Sequence, residues 1–436
     1  MARRSQDRTG VLGAGSPNLG QKMGHGKDCS APETPFALPR RELALLSLAA
    51  FASSAALRLC DPMLPALADT FHTRVTDASL VVTATSIAYA LSLFLVGPLG
   101  DGFGKLRVIA WACLASTLGT LACAVSPSLD LLSLSRALTG ATTAALIPLS
   151  MAWIGDRVPI HLRQPTLAKL MSGQILGLVT GQAVGGLFAD TLGWRWAFVL
   201  FALIYFIIGL GLARSLSAST GAASRAAPGA LAGARQVWRS PRAGVVLGTV
   251  FVEAMLTLAV LAFLPAYLHE RFGLSLFQAG LIAALFGLGG LVYTLFAGRW
   301  VGRLGEFRLC RSGGLLLGIA FLTLALADHW AWALAACPLA GLGFYQLHNS
   351  LQTQATQLAP EARGTAVSLF AACFFLAQAV GVGLGARIIE QWGTSLLFAV
   401  SAGILPLLGW YLAYRLRQMG AGFQIPSAQL SGPAAR

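Results

Sequence analysis

Glu253 lies about ten residues inside the apolar run 243–267, and that run holds no Lys or Arg. Hydrocarbon disfavours an isolated carboxylate, so a glutamate at that depth is suited to taking up and releasing a proton near neutral pH, or to holding a cation. Asp61 occurs in Arg58-Leu59-Cys60-Asp61-Pro62-Met63-Leu64-Pro65, in the outer half of the run 43–65, with Arg58 three residues away on the same helical face. It can act as a second acid or be neutralised by Arg58, which is itself a candidate for gripping a solute. Arg136 stands about six residues inside the run 130–153. An arginine at that depth is costly unless it pairs or faces water, which marks it for function. The competing reading is that it snorkels to the outer interface beside Asp130.

The run 330–357 closes with Phe344-Tyr345-Gln346-Leu347-His348-Asn349-Ser350-Leu351-Gln352-Thr353-Gln354-Ala355-Thr356-Gln357. Tyr345, His348, Asn349 and Gln352 recur at helical spacing and line one face. A polar stripe on an apolar helix faces water or the bundle, because it cannot face lipid. Tyr345, His348 and Asn349 are therefore candidates to hydrogen-bond a polar solute. Bonding between helices is the competing reading, and the stronger one for Gln352 and Gln354 near the helix end. Imidazole titrates close to neutrality, so His348 can also pass protons. Tyr89, in the run 78–98, and Gln174, in the run 166–189, are further candidates to face a solute. The other histidines sit in tails and loops, and the seven cysteines are scattered with no Cys-x-x-Cys spacing, so no metal and no cofactor is expected.

Such side chains need helices to hold them in a bilayer, and the composition supplies them. Of the 436 residues 56% are hydrophobic and only 11% charged, with a mean hydropathy of +0.69, whereas about a quarter of the residues of a soluble domain are charged. Crossing the hydrocarbon takes about 20 mostly apolar residues with every backbone polar group bonded internally. Twelve runs qualify: 43–65, 78–98, 107–126, 130–153, 166–189, 196–213, 243–267, 277–297, 311–327, 330–357, 365–386 and 395–414. They are numbered here as spans one to twelve. The net charge of +14 would suit nucleic acid, but its placement does not. With both termini inside, all 31 Lys and Arg except Arg58, Arg74, Arg136, Arg195, Arg271 and Arg387 fall in tails and cytoplasmic loops or at their margins. That asymmetry predicts a multi-pass protein of the plasma membrane with both termini cytoplasmic, in contact with lipid and not with nucleic acid. Residues 1–40 and 416–436 read as cytoplasmic tails, the first of them disordered. The first tail lacks the apolar core of a secretory signal, and Met23 is a natural alternative start. Residues 215–242, rich in Ser, Ala, Gly and Arg, read as a cytoplasmic linker between the six-helix bundles 41–214 and 243–415. Trp111, Trp194, Trp196, Trp300 and Trp330 lie near span ends, as interfacial anchors do.

The two bundles echo one another. Gly97-x3-Asp101-x2-Gly104-x2-Arg107 returns as Gly298-x3-Gly302-x2-Gly305-x2-Arg308, and Gln182-Ala183-Val184-Gly185 returns as Gln378-Ala379-Val380-Gly381. Twelve spans, a duplicated plan and the loop Gly97-Pro98-Leu99-Gly100-Asp101-Gly102-Phe103-Gly104-Lys105 resemble the major facilitator superfamily over roughly residues 40–415. That resemblance implies an all-α integral membrane fold, two pseudo-symmetric six-helix bundles with the solute site between them. It implies that Gly97, Asp101, Gly104 and Arg107 form a cytoplasmic gate, Asp101 latching onto the start of span eleven. Gly102 stands where the family usually has Arg, which leaves Arg107 or Arg157 to supply the charge. Arg136-x3-Gly140-x3-Ala144 resembles a second signature, whose Arg is linked to proton transfer in proton-coupled members. Gly177, Gly181, Gln182, Gly185 and Gly186 resemble the antiporter signature of the exporters, with Gln182 where those have Pro. Small residues at that spacing also let helices approach closely.

From the residues and the resemblance together the expected function is a secondary transporter, closest to the drug:proton antiporter and sugar-efflux branch. It would export a small organic molecule in exchange for protons, using Glu253, Asp61 and Arg136 for the proton and Arg58, Tyr345, His348, Asn349, Gln174 and Tyr89 for the solute. Symport uptake of a sugar or organic anion is the alternative. No His-Glu-x-x-His, Gly-x-Ser-x-Gly or Gly-x4-Gly-Lys-Ser/Thr occurs, so neither an enzyme nor an ATP-driven pump is expected. A duplicated chain carries its own central path, so it is expected to work as a monomer.

Overall fold

The structure, a computed structural model, describes residues 39–216 and 230–420. Nearly all of the expected N-terminal tail, the middle of the linker and most of the C-terminal tail lie outside the described residues. In chain order the helices are α1 (Arg40–Arg58), α2 (Leu64–Phe71), α3 (Val75–Ala78), α4 (Leu80–Phe103), α5 (Lys105–Ala124), α6 (Leu129–Thr143), α7 (Leu146–Arg157) and α8 (Ile160–Asp190). They continue as α9 (Trp194–Leu216), α10 (Ala230–Arg239), α11 (Ala243–Phe272), α12 (Leu276–Leu326), α13 (Trp332–Gln357), α14 (Arg363–Trp392) and α15 (Thr394–Gln418).

Each apolar run coincides with a helix or a pair of helices. Eight helical stretches among the described residues are long and apolar enough to cross a membrane. One of them, α12, has 51 residues, about 75 Å at 1.5 Å per residue and far more than one crossing requires. It holds spans eight and nine. With α1, α8 and α13, which carry the small and polar stripes, the twelve crossings are complete.

The breaks have local causes. Span one splits after Arg58 because Pro62 and Pro65 lack the N–H that would continue the ladder, and residues 59–63 form turns. Span four splits between α6 and α7, where the ring of Pro148 crowds the carbonyl of Ala144, four residues back. The echoed loops bend at equivalent glycines. Gly104 has φ +91°, and Gly305, 201 positions later, has φ +71° and ψ 164°. A side chain at either would be strained by about 1–3 kcal/mol. Gly104→Ala and Gly305→Ala are each expected to lower the midpoint of thermal unfolding, although neither glycine has a neighbour within 4 Å of an added Cβ. An unchanged midpoint would remove strain as the reason for these glycines.

Within the N-terminal bundle α1 packs on α8, α4 on α6 and α5 on α9; in the C-terminal bundle α11 packs on α14, and α12 on α13 and α15. The bundles meet along two seams, α8 against α12 and α4 against α14. These seams are symmetry mates, span five on span eight and span eleven on span two.

The linker is not wholly irregular. Its second part folds as α10, which packs beside the start of α14 with Val237 fully buried and Gln236 Nε2 donating to Glu361 Oε2 at 3.2 Å. The composition of residues 215–242 hid this short apolar contact. Trp194 also departs from the anchoring role: it is buried, its Nε1 donating to Thr70 Oγ1 at 3.1 Å.

Candidate functional site

Glu253 and His348 are 95 residues apart in sequence and 2.9 Å apart in space, Oε2 to Nδ1. Glu253 sits one third of the way along α11 with 0% of its surface exposed. His348 reaches it from α13, so the partner that span seven lacks comes from span ten. Either the ring nitrogen donates to the carboxylate or a protonated carboxyl donates to the ring nitrogen, and a single proton can reside on either side of this bond. The other carboxyl oxygen, Glu253 Oε1, is buried without a hydrogen-bond partner.

Around this pair stands a set of aromatic rings. Phe344 stacks on His348 at 4.8 Å with the planes 15° apart, and Phe374 and Phe370 lie 4.9 and 5.3 Å away. Phe374 touches Phe375, whose ring is 4.1 Å from Tyr89 on α4. The rings thus carry the acid–imidazole pair to the seam between the bundles. They pack against His348, which stays half-buried, while Glu253 is fully buried.

The N-terminal bundle has its own charged cluster, gathered at the break in span one. Arg58 Nη1 donates to Asp61 Oδ2 at 3.2 Å, and Asp61 Oδ1 is buried without a partner. The ion pair expected from their spacing is formed. Arg136, 1% exposed, does not snorkel towards Asp130: its Nη2 donates to the carbonyl oxygen of Ala56 at 2.9 Å, and its charge lies within electrostatic range of Asp61. Where the proline pair ends α1, carbonyls lose their helical donors, and Arg136 serves one of them. Tyr345 is half-buried on α13, its ring 5.4 Å from that of Phe344 in its own bundle. Asn349 and Gln174 are half-buried, and Gln352 is exposed.

The glycine stripe of α8 is a packing device. A Cβ on Gly177, Gly181 or Gly185 would overlap the carbonyl oxygen of Phe51, Ala55 or Leu59 on span one, and one on Gly186 that of Leu276 in the other bundle. Gly381, the echo of Gly185, meets Met255 of α11 in the same way. Gln182, where a kinking proline is missing, is buried with its side-chain oxygen unpartnered.

Sequence reasoning missed a pair of latches across the seams. The Asp190 carboxylate, at the end of α8, accepts from the backbone N–H groups of Leu276 and Phe277 at 3.0 and 2.7 Å, where it caps the N-terminus of α12. At the mate position Glu390, near the end of α14, accepts from Thr76 Oγ1 at 2.8 Å and pairs with Arg74 at 2.9 Å. At the other end the loop glycines Gly97, Gly102, Gly298 and Gly302 have no neighbour within 4 Å of an added Cβ. Asp101 there pairs inside its own bundle, 3.9 Å from Lys105 Nζ, and Lys105 also pairs with Asp156. Lys105, not Arg107 or Arg157, supplies the nearby charge, and Arg107 is exposed. Among the described residues, hydrogen bonds and an ion pair cross the seams at the Asp190 end, and the Asp101 cluster makes none across them. Asp190→Ala removes two charge-assisted bonds of about 1.5–3 kcal/mol each, enough to shift the open-to-closed ratio at that end about tenfold or more. Spin labels at Thr191 and Glu270 are expected to report a wider distance population in that variant; an unchanged distribution would dismiss the latch.

Comparison with known proteins agrees with this architecture. The chain is 27% identical over 340 residues to the uncharacterized MFS-type transporter YceJ of Bacillus subtilis, covering 76% of this chain and 85% of that one. The multidrug export protein EmrB of Escherichia coli matches over 155 residues at 28% identity, covering 36% of this chain and 30% of that protein. Among solved structures, a bacterial homologue of the human lysosomal transporter Spinster, inward-facing and unoccupied, superposes with a TM-score of 0.67 at 17% identity, covering 88% of this chain and 98% of that one. The peptide transporter POT superposes with a TM-score of 0.70 at 18% identity, over 87% and 94% of the two chains. The family model described as Major Facilitator Superfamily matches residues 46–381, and the chain, whose described residues form twelve helical crossings in two bundles, belongs to that superfamily as a membrane transporter.

Proposed function

We propose that this chain is a proton-coupled exporter of small, drug-like organic molecules, working as a monomer in the plasma membrane with both termini cytoplasmic. The observation that carries the reading is the buried Glu253–His348 bond at 2.9 Å. Two groups that can share one proton, flanked by phenylalanines at the edge of the inter-bundle seam, suit a carrier that must bind a proton in one conformation and release it in the other. Asp61, Arg58 and Arg136 form the balancing charge cluster in the first bundle, Tyr89 reaches the ring set of the second across the seam, and Tyr345 offers its hydroxyl to the solute. Asn349 and Gln174 add polar contacts for the solute.

The basic loops favour a cytoplasmic location for the Asp101 end; on that reading the latched end is external and this conformation faces inward. When the bundles rock, Asp190 and Glu390 release while Gly97, Asp101, Gly104 and Arg107 close the cytoplasmic side. Export is favoured over uptake by the partial match to a multidrug export protein. Vesicles holding the purified protein and loaded to an acidic lumen test the reading with ethidium, a planar aromatic cation. Ethidium is expected to accumulate in the lumen in exchange for protons, and a protonophore to collapse the accumulation. Accumulation of a sugar or an organic anion, together with protons and down a gradient of the opposite polarity, would favour uptake instead.

A further inference from the structure

A groove of about 310 Å³ runs along the outer face of the C-terminal bundle between the second part of α12 and α15, lined by Arg308, Arg311, Ser312, Leu315, Pro406 and Trp410. Its two ends differ in chemistry. At one end are two arginines. The Arg311 guanidinium lies 4.7 Å from the centre of the Trp410 ring, and its Nε is buried without a hydrogen-bond partner. Among the described residues no carboxylate lies within 4.0 Å of Arg308 or Arg311. The nearest acid in sequence, Glu306, is buried and accepts from Gln354 Nε2 on α13 at 2.7 Å. Ser312 is engaged with Gln346 at 2.7 Å. Deeper into the apolar part of the helices, Leu315 is 54% and Trp410 63% exposed, where only acyl chains can cover them.

We infer that this groove binds an anionic phospholipid from the leaflet on the side of the basic loops. Its phosphate sits between Arg308 and Arg311, and an acyl chain lies along Leu315, Pro406 and Trp410. A half-buried guanidinium whose Nε has no partner, beside an exposed arginine and with no carboxylate in reach, calls for an anion, and the apolar wall one turn away calls for a hydrocarbon tail joined to it. A zwitterionic lipid brings its own cation and satisfies the arginines less well. Free phosphate satisfies the arginines and leaves the wall bare. The inference rests on the placement of the chain in a membrane and is independent of proton coupling.

The test uses the full-length protein in phosphatidylcholine nanodiscs, with phosphatidylglycerol titrated in and bound lipid counted by native mass spectrometry. A surface arginine is worth about fivefold in affinity for anionic lipid. Arg308→Gln, an exposed position, is therefore expected to weaken phosphatidylglycerol binding about fivefold, and Arg308→Gln with Arg311→Gln about thirtyfold. Wild type should prefer phosphatidylglycerol to phosphatidylcholine, and millimolar inorganic phosphate should fail to displace it. Equal binding by wild type and Arg308→Gln, no preference over phosphatidylcholine, or displacement by phosphate would each overturn the inference. The single variant and the wild-type preference decide the matter even if the double variant does not fold.

Discussion

Gly181→Ala is expected to destabilise this transporter by about 3 kcal/mol, at the upper end of the usual overpacking range. A Cβ there overlaps the carbonyl oxygen of Ala55 and comes within 2.7 Å of its Cα, so the obstacle is backbone and cannot rotate aside. Span one would have to move off α8 along a row that also includes Gly177 and Gly185. Helices in lipid associate through close contact and not through the hydrophobic effect, so a separated pair has little else to hold it. Gly381→Ala, at the echoed position on α14, is expected to behave alike because its Cβ meets Met255 of α11. Gly383→Ala, two residues on, has nothing within 4 Å and is expected to be neutral or stabilising by up to about 1 kcal/mol. Thermal unfolding of the purified proteins separates these outcomes. Equal midpoints for Gly181→Ala and Gly383→Ala would contradict the packing account.

Arg136→Gln is the second large effect expected. The guanidinium is buried and bonded to the carbonyl of Ala56, at the point where Pro62 ends the regular helix of span one. Truncation leaves that carbonyl without its charged donor and opens space beside Phe198, whose ring centre lies 6.0 Å from the guanidinium. Losing a charge-assisted bond in the interior costs about 1.5–3 kcal/mol, and the unfilled volume adds to it. Arg136→Lys is expected to recover only part of the loss, since an ammonium can donate to the Ala56 carbonyl but does not fill the guanidinium's place beside Phe198. Unfolding midpoints and transport in the same vesicles check both halves of the statement. A Lys variant of wild-type stability would show that charge alone matters at this position.

The part of this fold that was legible in the sequence is the part set by local composition. Twelve apolar runs and the 201-residue echo needed only hydropathy and glycine spacing, and Gly104 and Gly305 realise that echo as paired breaks in the helices. The Arg58–Asp61 pair was legible because three residues on a helix fix the geometry. Long-range pairings were not. Glu253 has no basic partner in its own span because its partner is 95 residues away, and the stripe that holds His348 suits solute contact as well as proton passage. Asp190 falls just beyond an apolar run and reads as an ordinary loop acid until α12 is placed opposite it. Phe370, Phe374 and Phe375 look like lipid-facing bulk, yet the run Phe374-Phe375 in span eleven was a visible signal of rings on two adjacent faces.

The central claim is that the Glu253–His348 pair carries the coupled proton, and Glu253→Gln tests it while preserving shape and a hydrogen-bonding partner for His348. Vesicles containing wild type or Glu253→Gln, with a pH-sensitive dye in the lumen, report proton movement when ethidium is added outside. Wild type is expected to move protons outward as ethidium enters. Glu253→Gln is expected to move none above protein-free vesicles, although its unfolding midpoint stays within about 1 kcal/mol of wild type in stability. Proton movement by Glu253→Gln at the wild-type rate would contradict the account.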